Sequence, residues 1–262
     1  MKRWIDAKLL ERKFMLQQTA AKENLPEYAV EKDWWVTMTL KALFNTRCGK
    51  YLEFKGGTRL SKGWRLIERM SEDIDMALNY RFSDFASPYV PSRVKVELSC
   101  LSMDEPFEMK SITSLISASF PDEDEDTESV IPVVLPSRTF LEKAFLLNEE
   151  FQKEEPRSLR MTRHLYDLEH LMDTEFGITA LSDLELYSKI VEHRRKFYHV
   201  GYADYDKDYP DKIDFFPPER CLSAWKADYS EMLEHFVYGE KIPFERLLER
   251  ISALQSRFRN VK

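Results

Sequence analysis

Apolar residues recur at Ile5, Leu9, Phe14 and Leu16 among polar neighbours, which predicts one helix over residues 4–22. Asn24-Leu25-Pro26 interrupts that pattern, and a second helix is expected to run through 31–36 to Phe44, with Trp35, Met38 and Ala42 on its apolar face. Residues 51–54 read as a short strand and 60–69 as a helix. Ile74, Met76 and Leu78 then alternate with Asp73, Asp75 and Ala77, the period of a strand, and residues 93–99 alternate in the same way and can pair beside it. From Pro136 onward the period is helical, over 139–150, 158–172, 181–197, 218–236 and 244–258. Leu247, Leu248, Ile251 and Leu254 line one face of the last of these. The Tyr- and Asp-rich stretch 202–210 is expected to be a loop. The plan is α/β (α+β): helices over 1–48 packing on a core, an α/β core with a small mixed sheet over 49–135, and a helical domain over 136–262.

With 43% hydrophobic and 32% charged residues in 262, the chain is long and apolar enough for a sizeable core and has a globular composition. No apolar run approaches a bilayer span, and the first six residues lack the apolar centre of a signal peptide, so no membrane partner and a cytoplasmic location are expected. Cys48, Cys100 and Cys221 are too few and too scattered for a disulfide scaffold or a zinc knuckle. The net charge of -7 argues against a protein that coats nucleic acid. Locally the balance reverses, because Lys55, Arg59, Lys62, Arg65 and Arg69 face only Glu53 and Glu68 over residues 53–70. The opposite extreme, the acidic run 122–126 with Glu128 behind it, is expected to stay a solvated loop through self-repulsion.

Residues 51–78, YLEFKGGTRLSKGWRLIERMSEDIDMAL, carry the candidate chemistry. Gly56-Gly57 lets the backbone turn tightly and approach a ligand without a Cβ in the way. Its amides, with the hydroxyls of Thr58 and Ser61 and the amine of Lys62, can cradle phosphate oxygens, and a turn with no ligand is the plainer alternative. The order of Ser61, Lys62 and Gly63 differs from that of an NTPase phosphate loop. Asp73 and Asp75, two apart on a strand, project from one face, and Glu97 on the next expected strand can join them. Three inward carboxylates need a cation, and Mg²⁺ or Mn²⁺ shared with substrate phosphates meets that need; the alternative is the solvent face of an amphipathic sheet. One metal would hold the β and γ phosphates of a nucleoside triphosphate, and a second would activate an attacking hydroxyl.

The stretches 54–63 and 69–78 resemble the first two motifs of the AbiEii/AbiGii toxin family, within the DNA polymerase β-like nucleotidyltransferase superfamily. That resemblance implies that Gly56 and Gly57 form the nucleotide turn, Asp73 and Asp75 the acid pair and Glu97 the third acid. Residues 136–147, PSRTFLEKAFLL, resemble the family's "EKA" helix, which places a nucleotide-contacting lysine at Lys143; read alone, Lys143 is a surface lysine. Arg163-His164-Leu165-Tyr166-Asp167-Leu168 resembles its "RHxYDL" helix, which implies an essential aspartate at Asp167; read alone, His164 and Asp167 at i, i+3 are a hydrogen-bonded structural pair. The similarity runs from about residue 28, in the entry helix VEKDWWV, to 172. Arg59 departs from the family's small or hydroxylated residue, either adding a phosphate contact or altering the helix entry.

The implied function is a metal-dependent nucleotidyltransferase toxin of a toxin–antitoxin or phage-defence system, with a nucleoside triphosphate as substrate, RNA and above all tRNA as acceptor, and a cognate antitoxin encoded nearby. Lys143 and Asp167 are expected to join Asp73 and Asp75 in catalysis. A tRNA acceptor calls for a local basic groove, expected over 62–69 and 157–163. Two alternatives stand beside it: transfer to a small-molecule or protein hydroxyl, and an inactive scaffold that binds a partner protein.

Overall fold

In the computed structural model, residues 2–69, 106–198 and 200–261 are described. They fall into two compact units, one ending at Val134 and the other starting at Leu135, each with its own core. Asp73, Asp75 and Glu97, with the two strands expected over 73–78 and 93–99, lie outside the described residues.

The first unit opens with a 3-10 turn at Trp4–Asp6, then α1 (Leu9–Glu23) and α2 (Glu27–Phe44). The single helix expected over 4–22 is thus interrupted before Leu9. Asn24 ends α1 in the left-handed region at φ 52°, a conformation its short polar side chain tolerates. A short helix, α3 (Gly57–Lys62), follows, shorter than the helix expected over 60–69. β1 (Phe107–Ile112), α4 (Leu115–Ser119) and β2 (Ser129–Val134) complete the unit.

β1 and β2 pair antiparallel from Phe107 opposite Val134 to Ile112 opposite Ser129. Of the strand expected over 51–54, Phe54 alone pairs, as a parallel bridge to Val133, with its N–H donating to Pro132 O at 2.9 Å. Pro132 has no N–H to give but still supplies the carbonyl, so a proline is tolerated inside this strand. Val36, Leu40, Phe54, Ile112, Ile131 and Val133 form the core over the sheet. A second cluster gathers Trp4, Met15, Leu16, Val30, Trp34 and Ile116 between the helices.

The acidic run is the expected loop, with Asp122, Glu123, Glu125 and Glu128 exposed, but one of its acids leaves solvent. Asp124 is fully buried, its carboxylate accepting from Trp4 N (2.9 Å), Trp34 Nε1 (2.9 Å) and Ser114 Oγ (3.1 Å). Three donors offset much of the desolvation that pushes this carboxyl above its ordinary pKa. Lys41 holds Asp126 at 2.7 Å and Lys2 reaches Glu123 at 3.3 Å, so the run's self-repulsion is relieved by partners distant in sequence.

The second unit is helical: α5 (Pro136–Phe151), α6 (Thr162–Leu171), α7 (Glu175–Ser182), α8 (Leu184–Phe197), α9 (Leu222–His235) and α10 (Phe244–Arg259). The helix expected over 181–197 crosses a real break at Asp183, whose side chain accepts from Leu186 N at 2.9 Å and caps α8. Leu247, Ile251, Leu254 and Phe258 are all fully buried along α10, and Phe258 meets Phe140 and Phe215 at ring distances of 5.6 and 5.0 Å. The loop expected over 202–210 contains a 3-10 turn, Tyr205–Asp208, and buries Asp208.

Candidate active site

The glycine turn sits in the first unit. Gly56 has φ +85°, a conformation that strains any side chain, and a Cβ built there would meet nothing within 4 Å. Gly57 opens α3, which carries the other three candidates. The Thr58 hydroxyl is buried with no hydrogen-bond partner among the described residues, a costly state for a polar atom. Ser61 donates to Thr58 O at 3.0 Å within the helix. Gly63 ends it tightly against the sheet, where a Cβ would come within 2.8 Å of Val133 Cγ1.

Lys62 forms an ion pair with Asp33 of α2, both side chains largely buried. The other oxygen of Asp33 accepts from Leu115 N at 2.8 Å, so one carboxylate ties α2, α3 and the start of α4 together. Nothing in the sequence marked Asp33 beyond its place in the entry helix. Arg59 is fully buried and donates to Val134 O, which makes the departure from the family pattern a strut between α3 and the sheet. Arg69 is also buried.

In the second unit Lys143 and Asp167 come together. Lys143 Nζ lies 2.8 Å from Asp167 Oδ2 and 3.3 Å from His164 Nδ1. Asp167 is fully buried and the Lys143 side chain is 9% exposed, so the surface reading of that lysine fails. Pro136 at the first turn of α5 suits a position whose N–H has no partner in the helix. The position of α6 is set from α9: Asp228 accepts from Arg160 N (2.5 Å), Thr162 N (3.1 Å) and Thr162 Oγ1 (2.5 Å). His164 and Asp167, three apart on α6, share a face, and both meet the lysine of the neighbouring helix. Of the cations expected to line a basic groove, Arg157 is paired instead with Glu150 at 2.8 Å. Although burial works against it, Arg157 and Lys153 together hold the Glu150 carboxyl below its ordinary range.

Among the described residues, no group of three His, Cys, Asp or Glu is arranged to hold a metal. The structure brings together Gly56, Gly57, Thr58, Ser61 and Lys62 in one unit, and Lys143, His164 and Asp167 in the other.

A glycine turn at positive φ opens α3 in the first unit, and a buried lysine–carboxylate pair joins two helices of the second. A family model described as "Nucleotidyl transferase AbiEii toxin, Type IV TA system" matches residues 39–87 and 77–250. The chain belongs to this family of nucleotidyl transferase toxins. No curated protein and no solved structure matches it. Among the described residues, no helix is long and apolar enough to cross a membrane.

Proposed function

We propose that the protein transfers a nucleotide from a nucleoside triphosphate to a hydroxyl of an RNA acceptor, tRNA foremost. The acceptor oxygen bonds to the α phosphorus, the bond to the β phosphate oxygen breaks, pyrophosphate leaves, and the hydroxyl proton passes to solvent. The observation that carries this reading is the turn at 56–58. A left-handed glycine with open space where a Cβ would be stands beside a threonine hydroxyl that is buried without a hydrogen-bond partner among the described residues, and a phosphate oxygen would supply one.

The roles assigned are these. The backbone at Gly56 and Gly57 and the hydroxyls of Thr58 and Ser61 bind the triphosphate, and Lys62, held by Asp33, adds charge near its end. Asp73, Asp75 and Glu97 offer the hard oxygen set that suits Mg²⁺ or Mn²⁺, which when bound neutralises phosphate charge. Lys143, oriented by Asp167, neutralises the triphosphate or the departing pyrophosphate. A cognate antitoxin encoded nearby restrains the activity, as membership of a toxin–antitoxin family suggests.

A small-molecule or protein hydroxyl as acceptor is favoured by one observation. Arg59 and Arg69 are buried, Lys62 is paired with Asp33 and Arg157 with Glu150, so these four add little to a basic groove for RNA. The test offers wild type and Thr58→Val each labelled triphosphate. The reading predicts that wild type binds and that the variant, isosteric but without the hydroxyl, binds roughly tenfold more weakly, the loss of about one hydrogen bond to a charged group. Equal affinity, or no binding by either, overturns it.

A further inference from the structure

His164 is the polar group at Lys143 to which the nucleotidyl-transfer reading gives no task. An ammonium can only donate, so the ring nitrogen 3.3 Å from it, Nδ1, must accept, and the imidazole must be neutral with its proton on Nε2. The same ammonium meets Asp167 Oδ2 at 2.8 Å. A carboxylate attracts an ammonium from any direction about its oxygen. A second acceptor from the same rigid helix fixes its direction. A second carboxylate would do so at the cost of another buried negative charge, whereas a neutral imidazole adds direction and no charge. The helix that carries both acceptors is itself held at its first turn by Asp228.

We propose that His164 is a positioning residue, whose neutral imidazole sets where Lys143 presents its charge. The inference rests on the reading of Lys143 as the group that meets the nucleotide's phosphates. Transfer depends on that placement, because displacement of a charge-stabilising group by about an ångström costs roughly a hundredfold in rate.

Two measurements on the full chain separate this inference from the reading beneath it. Nitrogen-15 NMR of the imidazoles, with the His164 signals assigned by their loss in His164→Ala, reports which nitrogen carries the proton. The expected result is a bare Nδ1 whose signal moves in Lys143→Met. A proton on Nδ1, or a signal indifferent to Lys143→Met, overturns the proposal whatever the enzyme does. Steady-state transfer then compares His164→Ala with His164→Asn, whose amide oxygen can stand near the position of Nδ1. The alanine variant should lose roughly ten- to a hundredfold in kcat with KM for the triphosphate little changed, and the asparagine variant should recover most of it. Two variants equal to wild type, or equally impaired, overturn it. If wild type transfers no nucleotide while the NMR result holds, the positioning stands and the transfer reading falls.

Discussion

Lys143 and Asp167 show how burial changes what a substitution reports. Each side chain is nearly or wholly out of solvent, so Asp167→Ala removes the 2.8 Å counter-charge of a buried ammonium. Breaking a buried pair from one side costs on the order of 3–5 kcal/mol, while replacing both partners with apolar groups is often close to neutral. Thermal melting should therefore place Asp167→Ala well below wild type and Lys143→Met/Asp167→Leu much nearer to it, with transfer lost in both by roughly a hundredfold or more. Equal melting of wild type and Asp167→Ala would mean that the pair contributes no stability. Asp208 supplies a separate residue-scale test. Burial, then the nearby negative charge of Glu149, pushes its carboxyl up from 3.8 to about 8. Its Oδ1 accepts from Asn148 at 2.7 Å. A raised folded-state pKa favours the protonated form, so its contribution to stability is full below about pH 4 and is lost as pH rises through about 8. Asp208→Asn, which cannot ionise, should flatten that loss: the denaturation midpoint of wild type should fall relative to the variant between those limits. Parallel profiles would show that Asp208 ionises normally.

At the scale of elements, the long helices are legible in the sequence, whereas α4, α7 and the two described strands are not. The five helices expected after Pro136 are found, because each carries a long apolar face; the break at Asp183 hid inside 181–197, since periodicity says nothing of a cap at a tight junction. β1 and β2 are not marked in the sequence, because the alternation of Phe107 and Met109 with Glu108 and Lys110 is only four residues long and Pro132 interrupts the apolar run of β2. Asp124 departs from its solvated neighbours for an electrostatic reason. Repulsion within a run is visible in sequence, but the donors that offset it, at Trp4, Trp34 and Ser114, are brought by the fold. The candidate residues Gly56, Thr58, Lys143, His164 and Asp167 stand out in the sequence by type, but the contacts that bring Asp33 of α2 to Lys62 and Lys143 of α5 to His164 do not, because they join different elements. Asp124→Ala removes the acceptor that three buried donors share where the first 3-10 turn, α2 and the start of α4 meet, and should cost roughly 3 kcal/mol or more by chemical denaturation. A loss below about 0.5 kcal/mol, the level of an ordinary surface substitution, would return the run to the solvated loop that its charge suggests.

For the whole molecule, membership of the AbiEii family covers both units, since the family match extends from 39 to 250. The overall charge of -7 and the internal pairing of Lys62 and Arg157 leave electrostatics a poor guide to the acceptor, so the acceptor has to be read from product. The central claim is nucleotide transfer carried by the glycine turn and the acids Asp73 and Asp75. Its most direct measurement incubates the purified chain with each α-labelled ribonucleoside triphosphate, Mg²⁺ or Mn²⁺ and total tRNA, then separates RNA, protein and small molecules. The account predicts label on tRNA from wild type and none from Asp73→Asn/Asp75→Asn. Label on protein or small molecules alone would move the acceptor. No label anywhere with any triphosphate, or equal labelling by the double variant, would contradict the account.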